Sequence, residues 1–246
     1  MPLLRRHNDT LRDLLRLFTV RKHQRLLVGI DEAGRGSLLG PLVVGAFAMD
    51  GEKDDADGIL IDIGVKDSKC LSPERREEIY RKLKRLGRTA TTMAEPRLID
   101  RYVSHGGLNV LELEMMAKLV VRVDAQVAYV DACDTNESRF GRNLTNHISK
   151  SGLSATVFAR HKADRDLPIV GAASIVAKVT RDRAVKRLAA TTGLEIGSGY
   201  PSDPVTRACV QAILSKGKAP DWVRHSWKTL DTLNTKPRIR TLEAFA

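Results

Sequence analysis

Four carboxylates stand at positions suited to metal-dependent phosphodiester chemistry. Asp31 and Glu32 close the apolar run Leu26, Leu27, Val28 and Ile30, Asp131 follows a second run from Ala125 to Val130, and Asp164 lies just beyond a strand-like segment, Thr156 to Ala159. Acids at the ends of buried strands repel one another and are costly to desolvate unless cations balance them. Two Mg²⁺ ions between such oxygens would neutralise the cluster, activate a water and stabilise the leaving oxygen of a phosphodiester. Spacing alone leaves an alternative open, in which the same acids are surface residues capping helices.

Gly34-Arg35-Gly36 follows the first pair of acids directly, and Gly40 comes soon after. Glycines after a strand let backbone N–H groups approach a phosphate, as in dinucleotide-binding loops. The spacing here is GxGxxxG, Pro41 stands where a helix should continue, and the adjacent acids would repel an unshielded pyrophosphate. A loop that closely approaches a sugar-phosphate backbone explains the glycines better. Arg35 is then the cationic contact, with an ordinary turn arginine as the plainer reading.

Composition narrows the partners. The 246 residues carry a formal net charge of +11, which attracts polyanions through counterion release, and nucleic acid leads that class. Aromatic residues make up only 4%, too few for a base-stacking platform on single strands, so a duplex read through its backbone is the better match. The three cysteines, Cys70, Cys133 and Cys209, are far apart and form no CxxC pair, which argues against a disulfide framework or a cysteine zinc site. No stretch approaches a membrane span, and a soluble cytoplasmic monomer is expected.

The elements that must position these residues follow from periodicity. Residues 1–24 are expected to form an amphipathic basic helix, from the spacing of Leu11, Leu14, Leu15 and Phe18. Strands are expected over Leu26 to Ile30, Leu42 to Ala48 and Ile59 to Ile61, the last two separated by an acidic turn from Gly51 to Gly58. Ser72, Pro73 and Glu74 open a helix that runs to about Leu86 and stops at Gly87. A strand over Thr89 to Ala94, a helix over Asn109 to Val123, strands over Ala125 to Val130 and Thr156 to Ala159, and a small-residue helix after Pro168 complete a mixed α/β sheet. Asp134 is expected to cap the helix that follows it.

Several blocks then align in order: GIDEAGRG from Gly29, VKDSKCLSPERRE from Val65, YVDACD from Tyr129, HKADRDLPIVGAASIVAKVTRDRA from His161, GSGYPSDP from Gly197 and VRHSWKTL from Val223. Together they resemble ribonuclease HII, particularly its archaeal form. The resemblance implies a ribonuclease H-like fold, a mixed five-stranded sheet flanked by helices with a helical C-terminal lid. It divides the chain into an extension over 1–24, a catalytic domain over 25–200, a helical part over 201–233 and a basic tail over 234–246.

It also implies hydrolysis of RNA in RNA–DNA hybrids and incision 5′ of single ribonucleotides in duplex DNA, leaving 3′-hydroxyl and 5′-phosphate ends, with roles in ribonucleotide removal and primer processing. Asp31, Glu32, Asp131 and Asp164 match the four acids that bind Mg²⁺ or Mn²⁺. Gly34, Arg35 and Gly36 match the backbone element that meets the ribose 2′-hydroxyl, and Tyr200 matches the tyrosine packed at that junction. Lys69 and Ser174 align with contacts to backbone phosphates, although an exposed lysine and a helix-packing serine are plainer alternatives. His161 and Lys162 are candidates for positioning phosphates, and His225 and Trp227 for packing the lid. The sequence departs from the family at Ser37-Leu38-Leu39, a change expected to alter loop packing more than chemistry. Residues 239–246 resemble a sliding-clamp-binding tail with Leu242 and Phe245 as apolar anchors, without its usual glutamine and second aromatic.

Overall fold

The strand that ends on the paired acids lies in the middle of the molecule. The computed structural model describes residues 25–65, 71–217 and 219–234, so Lys69, the helix expected over 1–24 and the tail over 239–246 fall outside it. The strands are β1 (Leu26–Ala33), β2 (Leu42–Asp50), β3 (Arg88–Ala94), β4 (Val127–Asp131) and β5 (Thr156–Arg160). They form one five-stranded sheet in the order β3-β2-β1-β4-β5. β1 pairs antiparallel with β2 and parallel with β4, and β5 continues the parallel half. With strands on both edges and helices on both faces, β1 is apolar on both sides, which is why its sequence is an unbroken run rather than an alternating one.

The helices are α1 (Lys53–Asp62), α2 (Pro73–Leu86), α3 (Pro96–Ser104), α4 (Leu108–Val123), α5 (Glu137–Ser149), α6 (Ala163–Asp166), α7 (Pro168–Thr192), α8 (Pro204–Ser215) and α9 (Thr229–Asn234). On one face of the sheet, Leu27, Phe47 and Met49 pack with α1, α2 and the first half of α7. Val28, Ile30, Val44 and Ala46 pack on the other face with α4 and α5. α7 touches the strands at backbone distance. A Cβ on Gly29 would lie 2.0 Å from the Ile169 carbonyl oxygen, and one on Gly45 2.6 Å from the Ala177 nitrogen.

A third cluster joins Leu38 and Leu39, in the β1–β2 connection, to Val185 of α7 and to Ile196, Val210, Val223 and Leu230. Leu39 makes an isolated bridge with Val223, and the Leu38 N–H donates to the Gly199 carbonyl at 2.8 Å. Both leucines are fully buried, each contributing about 1.5–3 kcal/mol of apolar burial. The Ser37-Leu38-Leu39 departure is therefore an anchor for the C-terminal part of the chain.

Three expectations are corrected. Ile59 to Ile61 is not a strand: Glu52 takes the N-cap position without a side-chain bond, and with Asp54 and Asp55 in the first turn the supposed acidic turn opens α1. That helix buries Ala56 and Leu60, spaced i and i+4, and leaves Ile59 and Ile61 exposed. The third antiparallel strand is β3, and α3 was not anticipated. Asp134 does not cap α5; Asn136 does, accepting the Arg139 N–H at 2.8 Å, while Asp134 binds the Arg139 side chain. The Ser72 cap is found as expected, accepting the Arg75 N–H at 3.2 Å, and so is the stop at Gly87.

Candidate active site and its glycine loop

Strand register brings the acids to one end of the sheet. Ile30 is opposite Val130 in the parallel β1–β4 ladder, so Asp31 and Asp131 emerge together at the carboxyl ends of adjacent strands, where open α/β sheets bind ligands. Asp131 Oδ1 accepts the Ala163 N–H at 3.1 Å, which ties the end of β4 to the short helix that carries the buried Asp164. Alternation along β1 turns Asp31 and Glu32 to opposite faces. Asp31 meets α7, accepting a hydrogen bond from Ser174, whose Oγ in turn accepts from Lys178 Nζ at 2.8 Å.

Burial, followed by the Glu32 charge, raises the Asp31 carboxyl well above its usual range, although the Ser174 bond and Lys178 oppose the shift. Burial and then Asp131 push Glu32 up to about 7, against the pull of Arg35. Among the described residues, one carboxylate oxygen of Glu32, Oε2, is buried with no hydrogen-bond partner. Mutual repulsion, an orphaned buried oxygen and an all-oxygen donor set fit a hard divalent cation. Among the described residues, no group of three His, Cys, Asp or Glu side chains is placed to hold one ion, so a cation here would be held by one or two of these carboxylates, with water or substrate oxygens as its remaining ligands.

The glycine loop follows the acids without a helix, since β1 turns into the antiparallel β2; this removes the dinucleotide-binding reading. Gly34 has φ +90°, and a Cβ there would lie 2.7 Å from the Pro41 carbonyl oxygen. Its N–H donates to the Tyr200 hydroxyl at 3.1 Å, so the two residues matched to substrate recognition do meet. Gly36 is exposed, and a Cβ there would enter open space. The Arg35 guanidinium is engaged by Glu112 and by Asn109 Oδ1, the latter at 2.7 Å.

Two buried arginines brace this loop. Arg181 of α7 donates to Ser37 Oγ at 2.9 Å and lies over the Tyr200 ring at 4.4 Å. Arg224 donates to the Arg35 carbonyl at 2.8 Å and, with two nitrogens, to the Gly40 carbonyl. Burial, then the Arg181 charge, lowers the Arg224 guanidinium to about 10. Behind Tyr200, the N-cap Asp203 accepts from the Ser198 and Val205 N–H groups, and the Ser198 bond helps hold its carboxyl at about 2. The His161 ring meets the Asp134 carbonyl at 2.7 Å, the His225 N–H donates to Asp100 at 2.9 Å, and Trp227 packs against Arg224. A groove of about 490 Å³ between α5 and β5, lined by Gly141, Arg142 and Phe158, contains none of the four acids.

Sequence reading missed Glu112, Lys178, Arg181 and Arg224. A signal existed for two of them. Glu112 interrupts the buried α4 stripe that continues through Met116 and Leu119, and Arg181 interrupts the α7 stripe between Ala177 and Val185. A lone charge at helical spacing among apolar residues marks a buried partner.

Comparison with known proteins follows the same residues. The family model for Ribonuclease HII matches residues 28–230. The ribonuclease HII of Methanoregula boonei is 38% identical over 221 residues, covering 89% of this chain and 100% of the relative. Among solved structures, the ribonuclease HII of Archaeoglobus fulgidus, determined as a PCNA complex, superposes with a TM-score of 0.76 at 38% identity, covering 89% of this chain and 100% of that one. The ribonuclease H2 of Pyrococcus horikoshii gives a TM-score of 0.75 at 39% identity over 85% of this chain and 97% of that one. These structures carry the same sheet and helical C-terminal region that the resemblance implied.

Proposed function

The chain belongs to the ribonuclease HII family of ribonuclease H endonucleases, and on that premise we propose that it cleaves the RNA strand of RNA–DNA hybrids and incises duplex DNA 5′ of a single ribonucleotide. The products are a 3′-hydroxyl and a 5′-phosphate. The observation that carries this reading is the short distance along one strand end between Glu32 and the Gly34 N–H bound to Tyr200, which joins a charge cluster to a glycine loop. Asp31, Glu32, Asp131 and Asp164 would hold Mg²⁺ or Mn²⁺. When bound, such ions would supply activation of a water and charge stabilisation at the leaving oxygen.

The protein's own groups do the rest. The backbone of Gly34, Arg35 and Gly36, with Tyr200 behind it, meets the ribose 2′-hydroxyl, the group by which RNA is told from DNA. The open space at Gly36 supports a close approach of substrate. Lys69 is assigned to the phosphate backbone. The buried bond between Ser174 and Asp31 favours a share in holding that carboxylate over a phosphate contact. Residues 25–200 carry the chemistry and 201–233 brace the loop, a division supported by the Leu39–Val223 bridge. The solved PCNA complex of the Archaeoglobus relative supports a sliding-clamp contact for this chain, and the resemblance of residues 239–246 to a clamp-binding tail assigns it there.

The test is a DNA duplex carrying one ribonucleotide, incubated with wild type and Asp131→Asn in Mg²⁺ or EDTA. Wild type nicks it in Mg²⁺ only, and Asp131→Asn loses turnover by about a thousandfold or more while still binding the hybrid, because it removes cation-holding charge rather than a phosphate contact. Metal-independent nicking, or full turnover by Asp131→Asn, overturns the reading.

A further inference from the structure

We infer that Glu112 is a positioning residue for substrate selection, holding the 34–36 backbone in place through its ion pair with Arg35. The inference rests on the reading of that loop as the part that meets the ribose. Gly34 and Gly36 have no side chains, so Arg35 is the handle by which this stretch can be gripped. It is gripped at both ends. Arg224 binds its carbonyl oxygen at 2.8 Å, and α4 takes its guanidinium with Glu112 and Asn109, which lie on one helix face at i and i+3.

Stability does not account for Glu112. Its side chain is 0% exposed, Oε2 pairs with Arg35, and Oε1 has no hydrogen-bond partner among the described residues. A buried ion pair is often no more stable than apolar side chains of similar volume, and a half-satisfied one is worse. What such a pair does supply is a fixed arrangement. Arg35 also pulls on the Glu32 charge, so a guanidinium released from Glu112 has the acid cluster as its next partner and would drag the loop with it.

The experiment compares two affinities of the full chain in EDTA, one for a duplex with a single ribonucleotide and one for the same duplex made wholly of DNA. Their ratio should fall about tenfold in Glu112→Gln and Glu112→Leu, the loss expected when one hydroxyl-directed hydrogen bond is misplaced, while the all-DNA affinity stays unchanged. The neutral pair Arg35→Gln with Glu112→Gln leaves no buried charge unpaired. It should show the same loss, and it decides the matter if the single variants do not fold.

A folded variant that keeps the wild-type ratio overturns the inference. So does a neutral pair that restores the ratio, an equal fall in both affinities, or a failure of every variant to melt cooperatively, which would assign Glu112 to stability alone. A wild-type ratio of one removes the loop's role as reader and the inference with it, and that failure is recognisable because it needs no variant.

Discussion

Glu32 carries the clearest sign of unrelieved charge at the level of single residues. Its carboxyl is raised to about 7 by burial and then by Asp131, so the folded protein retains a proton that the unfolded chain releases above about 4.5. The sign follows: this group's contribution is fully present below pH 4.5 and is lost as pH rises toward 7. Glu32→Gln removes the titration. In EDTA it should melt close to wild type at pH 4.5 and above it at pH 7.5, by on the order of 1 to 3 kcal/mol. A wild type that gains on the variant with rising pH would contradict this. As candidates the acids stood out in sequence, since Asp31, Glu32 and Asp131 close apolar runs and Asp164 lies just beyond a strand. Glu112 and Arg181 left only the signal of a lone charge in an apolar helix stripe and Arg224 left none, and in each case the fold alone shows the partner.

For whole elements, the seating of α7 on β1 and β2 governs how firmly Asp31, Ser174 and Lys178 are held together. Gly29→Ala would drive a methyl to 2.0 Å from the Ile169 carbonyl oxygen, and backbone on both sides leaves little room to yield. Chemical denaturation should show a loss of about 1 to 3 kcal/mol or more. Gly36→Ala, facing open space, serves as the control and should leave the midpoint unchanged. An equal loss from both would mean that helix contact is not what Gly29 protects. Element type was legible where the pattern was long, as in α4 and α7, or where caps were explicit, as at Ser72. It failed at Ile59 to Ile61, where three apolar residues resembled a strand although only Leu60 of them is buried. Helical spacing with Ala56, and not the branched side chains, decided that segment.

The net charge of +11 acts on the scale of the whole molecule. If phosphates provide most of the affinity, binding to an RNA–DNA hybrid should weaken about a hundredfold between 50 and 200 mM salt, corresponding to roughly four neutralised phosphates. A change below threefold, read by fluorescence anisotropy, would place the affinity in uncharged contacts instead. Layer architecture was legible from the alternation of strands and helices. The anchoring of the C-terminal part on Leu38 and Leu39 was not, because apolar residues in a loop do not reveal their partner. That anchoring bears on the order in which the protein is assembled. The loop after β1 is made early in synthesis, yet Tyr200 lies 166 residues from the Gly34 it contacts, and Arg224 lies 189 from the Arg35 carbonyl. Contacts of such separation close late. A chain still emerging, or one cut before Arg224, would carry β1, β4 and α6 with their acids while the loop still lacked its brace, so under the proposed roles the groups for choosing a substrate would be completed after those for cleaving it.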